Sequence, residues 1–153
     1  MQAATKPAAP ASSFSTTRAV MRWTLAAFFV AAGVAHLAVP DELLKITPDR
    51  VPFAPQVIFV TGLCEFAGAL ALVTRPLRRW AGIALAAYAI CVWPANVKHA
   101  FEGIDIAHIS SSWWYHAPRL ALQPVIMWWA LFCSGVVDWP LWRLWRRTPR
   151  FDR

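Results

Sequence analysis

The chain has 153 residues, 58% of them hydrophobic and 15% charged, and a formal net charge of +7. Soluble domains carry about 25% charged residues, so this composition points away from an ordinary soluble fold, and its apolar and aromatic content excludes disorder over most of the length. Three widely separated cysteines, Cys64, Cys91 and Cys133, exclude a disulfide scaffold.

The opening residues, rich in Ala, Ser, Thr and Pro, predict a disordered tail over 1–17. Four stretches then run almost free of charge: between Arg22 and Asp41, from Pro55 to Thr74 with Glu65 alone, from Trp80 to Val97, and from Leu120 to Val137. Each has the length that a helix needs to cross about 30 Å of hydrocarbon, and only a helix satisfies its own peptide groups there. The run from Ala81 to Ile90 is apolar all round, whereas a soluble bundle keeps a polar outer face on each helix. Transmembrane helices are expected near 19–39, 55–74, 79–100 and 119–138. The first is expected to stay uncleaved, because His36 stands where a signal peptide needs a small residue.

The basic residues orient these spans. Lys6, Arg18, Arg22, Arg75, Arg78, Arg79 and the five arginines after Trp142 total eleven cations on one side, against Lys45, Arg50, Lys98 and Arg119 on the other. The expected fold class is therefore all-α, a transmembrane four-helix bundle with cytoplasmic N- and C-termini. It occupies residues 18–139, with a basic Trp/Arg-rich cytoplasmic tail over 140–153 and loops 40–54 and 101–118 outside. Trp23 and Trp80 mark the inner interface, and Trp113, Trp114 and Tyr115 the outer one. The arginines read as topology determinants facing lipid headgroups, not as a nucleic-acid surface.

Ionisable groups inside a span cost about 2.5 to 3.5 kcal/mol on insertion scales, so each needs a reason. Glu65 lies about 15 Å along its helix, near the midplane. It reads either as a proton-exchanging or ligand-facing carboxyl, or as a hydrogen-bond partner tying helices together. His36, Asn96, Arg119 and Gln123 approach the same depth from the outer ends of the other three spans. Their spacing permits one shared pocket. Pro94 reads as a packing bend. His99, His108 and His116 scatter around the second outer loop and read as solvated, with no metal site expected. Cys-x-x-Cys, a phosphate-cradling glycine loop and Gly-x-Ser-x-Gly are all absent from the sequence.

The run Gly33-Val-Ala-His36, Pro40, Ile46-Thr-Pro48 and Val51-Pro-Phe-Ala-Pro55 leads into Thr61-Gly-Leu-Cys-Glu65. Trp93-Pro-Ala-Asn-Val97 and Arg119-Leu-Ala-Leu-Gln123 follow. In this order the motifs resemble the DoxX family of small four-span bacterial membrane proteins, over roughly residues 20–135. The resemblance implies a link to quinol oxidases, thiosulfate:quinone oxidoreductase and membrane redox complexes, without assigning catalytic residues.

The expected function is a subunit or accessory of a quinone-linked redox system in the bacterial inner membrane. Glu65 and His36 would exchange protons, Asn96 and Gln123 would hydrogen-bond a carbonyl oxygen, and Arg119 would favour anions. Quinone is the expected ligand, the lipid bilayer and a redox protein the expected partners; nucleic acid is not, and the oligomeric state stays open. Two alternatives remain: a non-enzymatic membrane scaffold or assembly protein, and a small proton-coupled transporter.

Overall fold

Apolar and small residues recur along the long helices every three or four positions, and this spacing decides which faces meet. On the third helix the buried positions are Ile58, Gly62, Glu65, Ala69 and Leu72, alternating steps of four and three. The computed structural model describes residues 13–102 and 112–139. Among them are five helices and no strand: α1 (Ser13–Ala38), α2 (Pro40–Ile46), α3 (Ala54–Val73), α4 (Arg78–Glu102) and α5 (Trp113–Ser134). α1 packs on α3 and α5, and α4 packs on α5 and α3. Leu25, Phe29, Leu72, Leu85, Ala130 and Cys133 lie together in the shared core.

Three helices are long and apolar enough to cross a membrane: Ser15–Ala38 of α1, Ala54–Val73 and Arg78–Glu102. They suggest a membrane protein. Phe28, Val34, Phe59, Leu63, Leu70, Ile83 and Ile90 all face outward from them, an apolar exterior that a water-facing domain rarely presents. The fourth expected span, 119–138, differs. α5 begins at Trp113 and ends at Ser134, and it contains Pro118, Arg119, Gln123 and Pro124, which leave it outside the apolar set.

Other boundaries move as well. α1 starts at Ser13, so residues 13–17 of the expected tail are helical; its 26 residues span about 39 Å, longer than the hydrocarbon layer. Residues 1–12 and the basic tail 140–153 lie outside the described residues. The expected first outer loop contains α2. Pro40 at its first position and Asp41 and Glu42 in its first turn favour a helix start there. α4 runs unbroken through Pro94. The three cysteines are free.

Two close helix approaches depend on glycine. A Cβ on Gly62 would lie 3.0 Å from His36 Cβ and 3.3 Å from the Gly33 carbonyl, where α3 meets α1. A Cβ on Gly82 would collide with the Ser134 side chain and lie 2.8 Å from the Ala130 carbonyl, where α4 meets α5. Overpacking of this kind costs about 1–3 kcal/mol. Gly82→Ala should therefore lower the melting temperature of the purified protein in detergent. An unchanged melting curve would show that the two helices are not held at this separation.

Candidate functional site

The close α1–α3 contact determines what can stand beside it. The two helices run antiparallel, so His36, three residues past Gly33, and Glu65, three residues past Gly62, lie to opposite sides of the glycine crossing, and its closeness lets their side chains reach one another across it. Glu65 is 3% exposed. Its Oε1 accepts a hydrogen bond from the Tyr88 hydroxyl of α4 at 2.6 Å. His36 Nδ1 lies 2.9 Å from Glu65 Oε2 and 3.0 Å from the Ala32 carbonyl oxygen. With Glu65 ionised both neighbours are acceptors, so Nδ1 carries the proton. One N–H cannot point squarely at both, and Oε2 is left buried without a well-aligned hydrogen bond.

A second polar group joins α4 to α5. Gln123 Nε2 donates to the Ala89 carbonyl at 2.6 Å, and Gln123 Oε1 accepts from Asn96 Nδ2 at 3.2 Å. The Pro94 ring removes the amide that would bond the next carbonyl, that of Ile90. Arg119 donates to His99 Nδ1 at 2.5 Å, which makes that nitrogen the acceptor, and its guanidinium lies 5.9 Å from the Tyr115 ring centre.

Both groups border one cavity of about 840 Å³, a size typical of small-molecule sites. His36, Glu65, Tyr88, Asn96, Arg119 and Gln123 all line it, among apolar walls that include Phe28, Phe29, Ile126 and Leu122. The five residues singled out in the sequence are thus brought to one space. Tyr88 was missed, because a tyrosine inside an apolar run reads as hydrophobic. His99 and His116, expected to be solvated, are buried instead, with ring centres 4.6 Å apart and an aromatic wall of Tyr115 and Trp113 around His116. Each lies on the inward face of its own helix, His99 on α4 and His116 on α5. His108 lies outside the described residues.

α2 and the segment after it cover one side of the cavity through Leu43, Ile46, Thr47, Pro48, Arg50 and Val51. This cap is tied to α4 by Lys98, whose Nζ donates to the Thr47 carbonyl and to Asp49 Oδ1, both at 2.9 Å. Its far hinge is Phe53, whose φ of 53° is left-handed, an unfavourable conformation for a residue with a Cβ.

An all-helical protein with three membrane-length helices and a capped, polar-lined cavity is the class these features define. Residues 25–134 match the family described as a domain of unknown function (DUF8561), and the chain belongs to that family. DoxX membership, expected from the motifs, is overturned by this match. Those motifs are short, and Gly33, Gly62, Pro94 and their polar neighbours meet packing demands that a different helical family can meet in the same way. No curated protein and no solved structure matches the chain.

Two outcomes follow from this geometry. Tyr88→Phe removes a hydrogen bond to a buried carboxyl, worth about 1.5–3 kcal/mol when the acceptor is charged, and should lower thermal stability accordingly. An unchanged melting temperature would mean that Glu65 takes another partner at no cost. The second concerns the cap. The Lys98 hydrogen bond holds the Asp49 carboxyl below its ordinary value of 3.8. The folded value being the lower one, the link contributes fully above 3.8 and is lost as pH falls through the depressed value. Protection against hydrogen exchange over residues 47–51, taken relative to the intrinsic amide rate at each pH, should be high at neutral pH and fall in strong acid. Lys98→Met should lower the protection already at neutral pH.

Proposed function

We propose that this is a multi-pass protein of a bacterial inner membrane that binds a small lipophilic molecule with a hydrogen-bonding ring in the outer half of a four-helix bundle. In this reading α5 is the fourth span. Its 22 residues reach about 33 Å, and the polar side chains that lower its apolar character, His116 and Gln123, are turned inward. The eleven-to-four distribution of basic residues supports cytoplasmic termini.

The observation that carries the proposal is the cavity itself, apolar on most of its wall and bordered by two separate hydrogen-bonding groups. A quinone headgroup suits such a lining: Asn96 and Arg119 bear donors for a carbonyl oxygen, and the Glu65 carboxyl on the same lining would accept from a ring hydroxyl. When bound, such a ring would supply two-electron redox chemistry. The protein's own part would be to orient the ring, to keep water out, and to hold or release a proton between Glu65 and His36. A redox partner protein would exchange the electrons.

A second reading has an observation of its own. Asn96, Gln123 and Tyr88 already bond within the protein, as the polar set of a non-enzymatic scaffold would. Titration of a short-chain quinone into the protein in lipid nanodiscs, followed by quenching of tryptophan fluorescence, separates the two. Saturable quenching is expected, weakened about tenfold or more by Glu65→Gln, equivalent to about 1.4 kcal/mol. Absence of saturable quenching would leave the scaffold reading.

A further inference from the structure

At the end of the molecule remote from α2, a second set of charges converges. Arg18 and Arg22 stand one turn apart on α1, and Arg78 opens α4. Arg22 Nε donates to the Cys133 carbonyl at 3.2 Å, and Arg18 donates to the Val137 carbonyl at 2.8 Å and to Asp138. Arg18 also lies over the Phe132 ring, 4.8 Å from its centre. The C-terminal turn of α5 thus carries two of the arginines. Arg78 stands one turn before Gly82, which packs against Ser134 at the same end of α5, so the three positive charges share this end of the molecule.

The negative side of this group is smaller. The carbonyl end of α5 contributes about half a charge, and Asp138 one, against three guanidiniums. Arg78 is the member without compensation. Its side chain makes no hydrogen bond or ion pair among the described residues, although its Nε is buried. An arginine held with part of its donor fork shielded from water requires an acceptor.

Depth says where that acceptor comes from. Trp23 follows Arg22 directly, and Trp80 follows Arg78 by two residues; both indoles are exposed, 64% and 72%. Exposed tryptophans at the ends of apolar helices seat at the headgroup level of a bilayer. The two guanidiniums beside them then lie where phosphates are.

We propose that Arg22 and Arg78, backed by Arg18, form a binding site for a phosphate-bearing group, supplied by the headgroup of an anionic phospholipid. The planar fork of each arginine matches two phosphate oxygens, and a lipid phosphate held by both would bridge α1 and α4, which pack chiefly on α3 and α5 rather than on one another. This site is separate from the cavity and does not rest on what the cavity binds.

The full-length protein in detergent is titrated separately with phosphatidylglycerol, phosphatidylcholine and inorganic phosphate, with bound lipid read by native mass spectrometry and affinity by thermal shift. Phosphatidylglycerol should bind saturably and raise the melting temperature, and phosphatidylcholine should do neither. Arg78→Gln should weaken that binding about tenfold or more, whereas Arg79→Gln, removing the same charge from an exposed neighbour, should change it less than about twofold. Arg78→Lys keeps the charge but loses the fork and should also weaken binding severalfold. Inorganic phosphate that stabilises the protein through Arg78, with phosphatidylglycerol inert, would keep the phosphate site and overturn the lipid source. Equal losses from Arg78→Gln and Arg79→Gln, or full affinity in Arg78→Lys, would overturn the site.

Discussion

A carboxyl placed midway along an apolar helix must find its hydrogen bonds inside the protein, and Glu65 sets that requirement here. α3 carries no other charged residue, and Glu65 is almost wholly buried. Its partners come from two other helices, His36 from α1 and Tyr88 from α4. For His36 to reach it, α1 and α3 must approach closely, and Gly33 and Gly62 at their crossing permit this. The position of three helices is thus tied to one side chain. The same contact leaves Oε2 buried without a well-aligned hydrogen bond.

The second hydrogen-bonding group is built differently. Gln123 bridges α5 to α4 through a backbone carbonyl and Asn96, so both ends of its amide are engaged. Arg119 is similarly anchored on His99. These groups give one wall of the cavity a fixed pattern of donors and acceptors, while the Glu65 wall keeps capacity for one more donor. A molecule entering between them meets unequal sides. That inequality would orient a ligand without any need for net charge.

Much of this was legible in sequence, but unevenly. The long helices follow from charge-free stretches, because a lone Glu65 among apolar residues is visible in one dimension. The depth of His36, Asn96, Arg119 and Gln123 follows from counting at 1.5 Å per residue. Rotation about each helix axis does not, since it is decided by what packs against what. Hence Tyr88 stayed hidden in an apolar run, and His99 and His116 passed for loop residues although their faces turn inward. α2 was hidden for another reason: seven residues are too few for a periodic signal, and only Pro40 with the acids behind it announced the helix. The family resemblance failed because its motifs were those of helix packing and a shared polar set, which constrain shape more than descent.

The two ends of the molecule show what each can recognise. Around the cavity, Asp41, Glu42, Asp49 and Glu102 stand in sequence near Lys45, Arg50 and Lys98, and several pair directly. Charge there is largely matched, and the one cation on the cavity wall from α5 is engaged with His99, so selection in the cavity falls to hydrogen-bond geometry and shape. At the other end, among the described residues, Arg18 pairs with Asp138, and Arg22 and Arg78 pair with no carboxylate. Selection there falls to charge. The proposed neutral ligand at one end and the proposed phosphate at the other would use the same apolar helices in two different ways, and neither would require the other to be present.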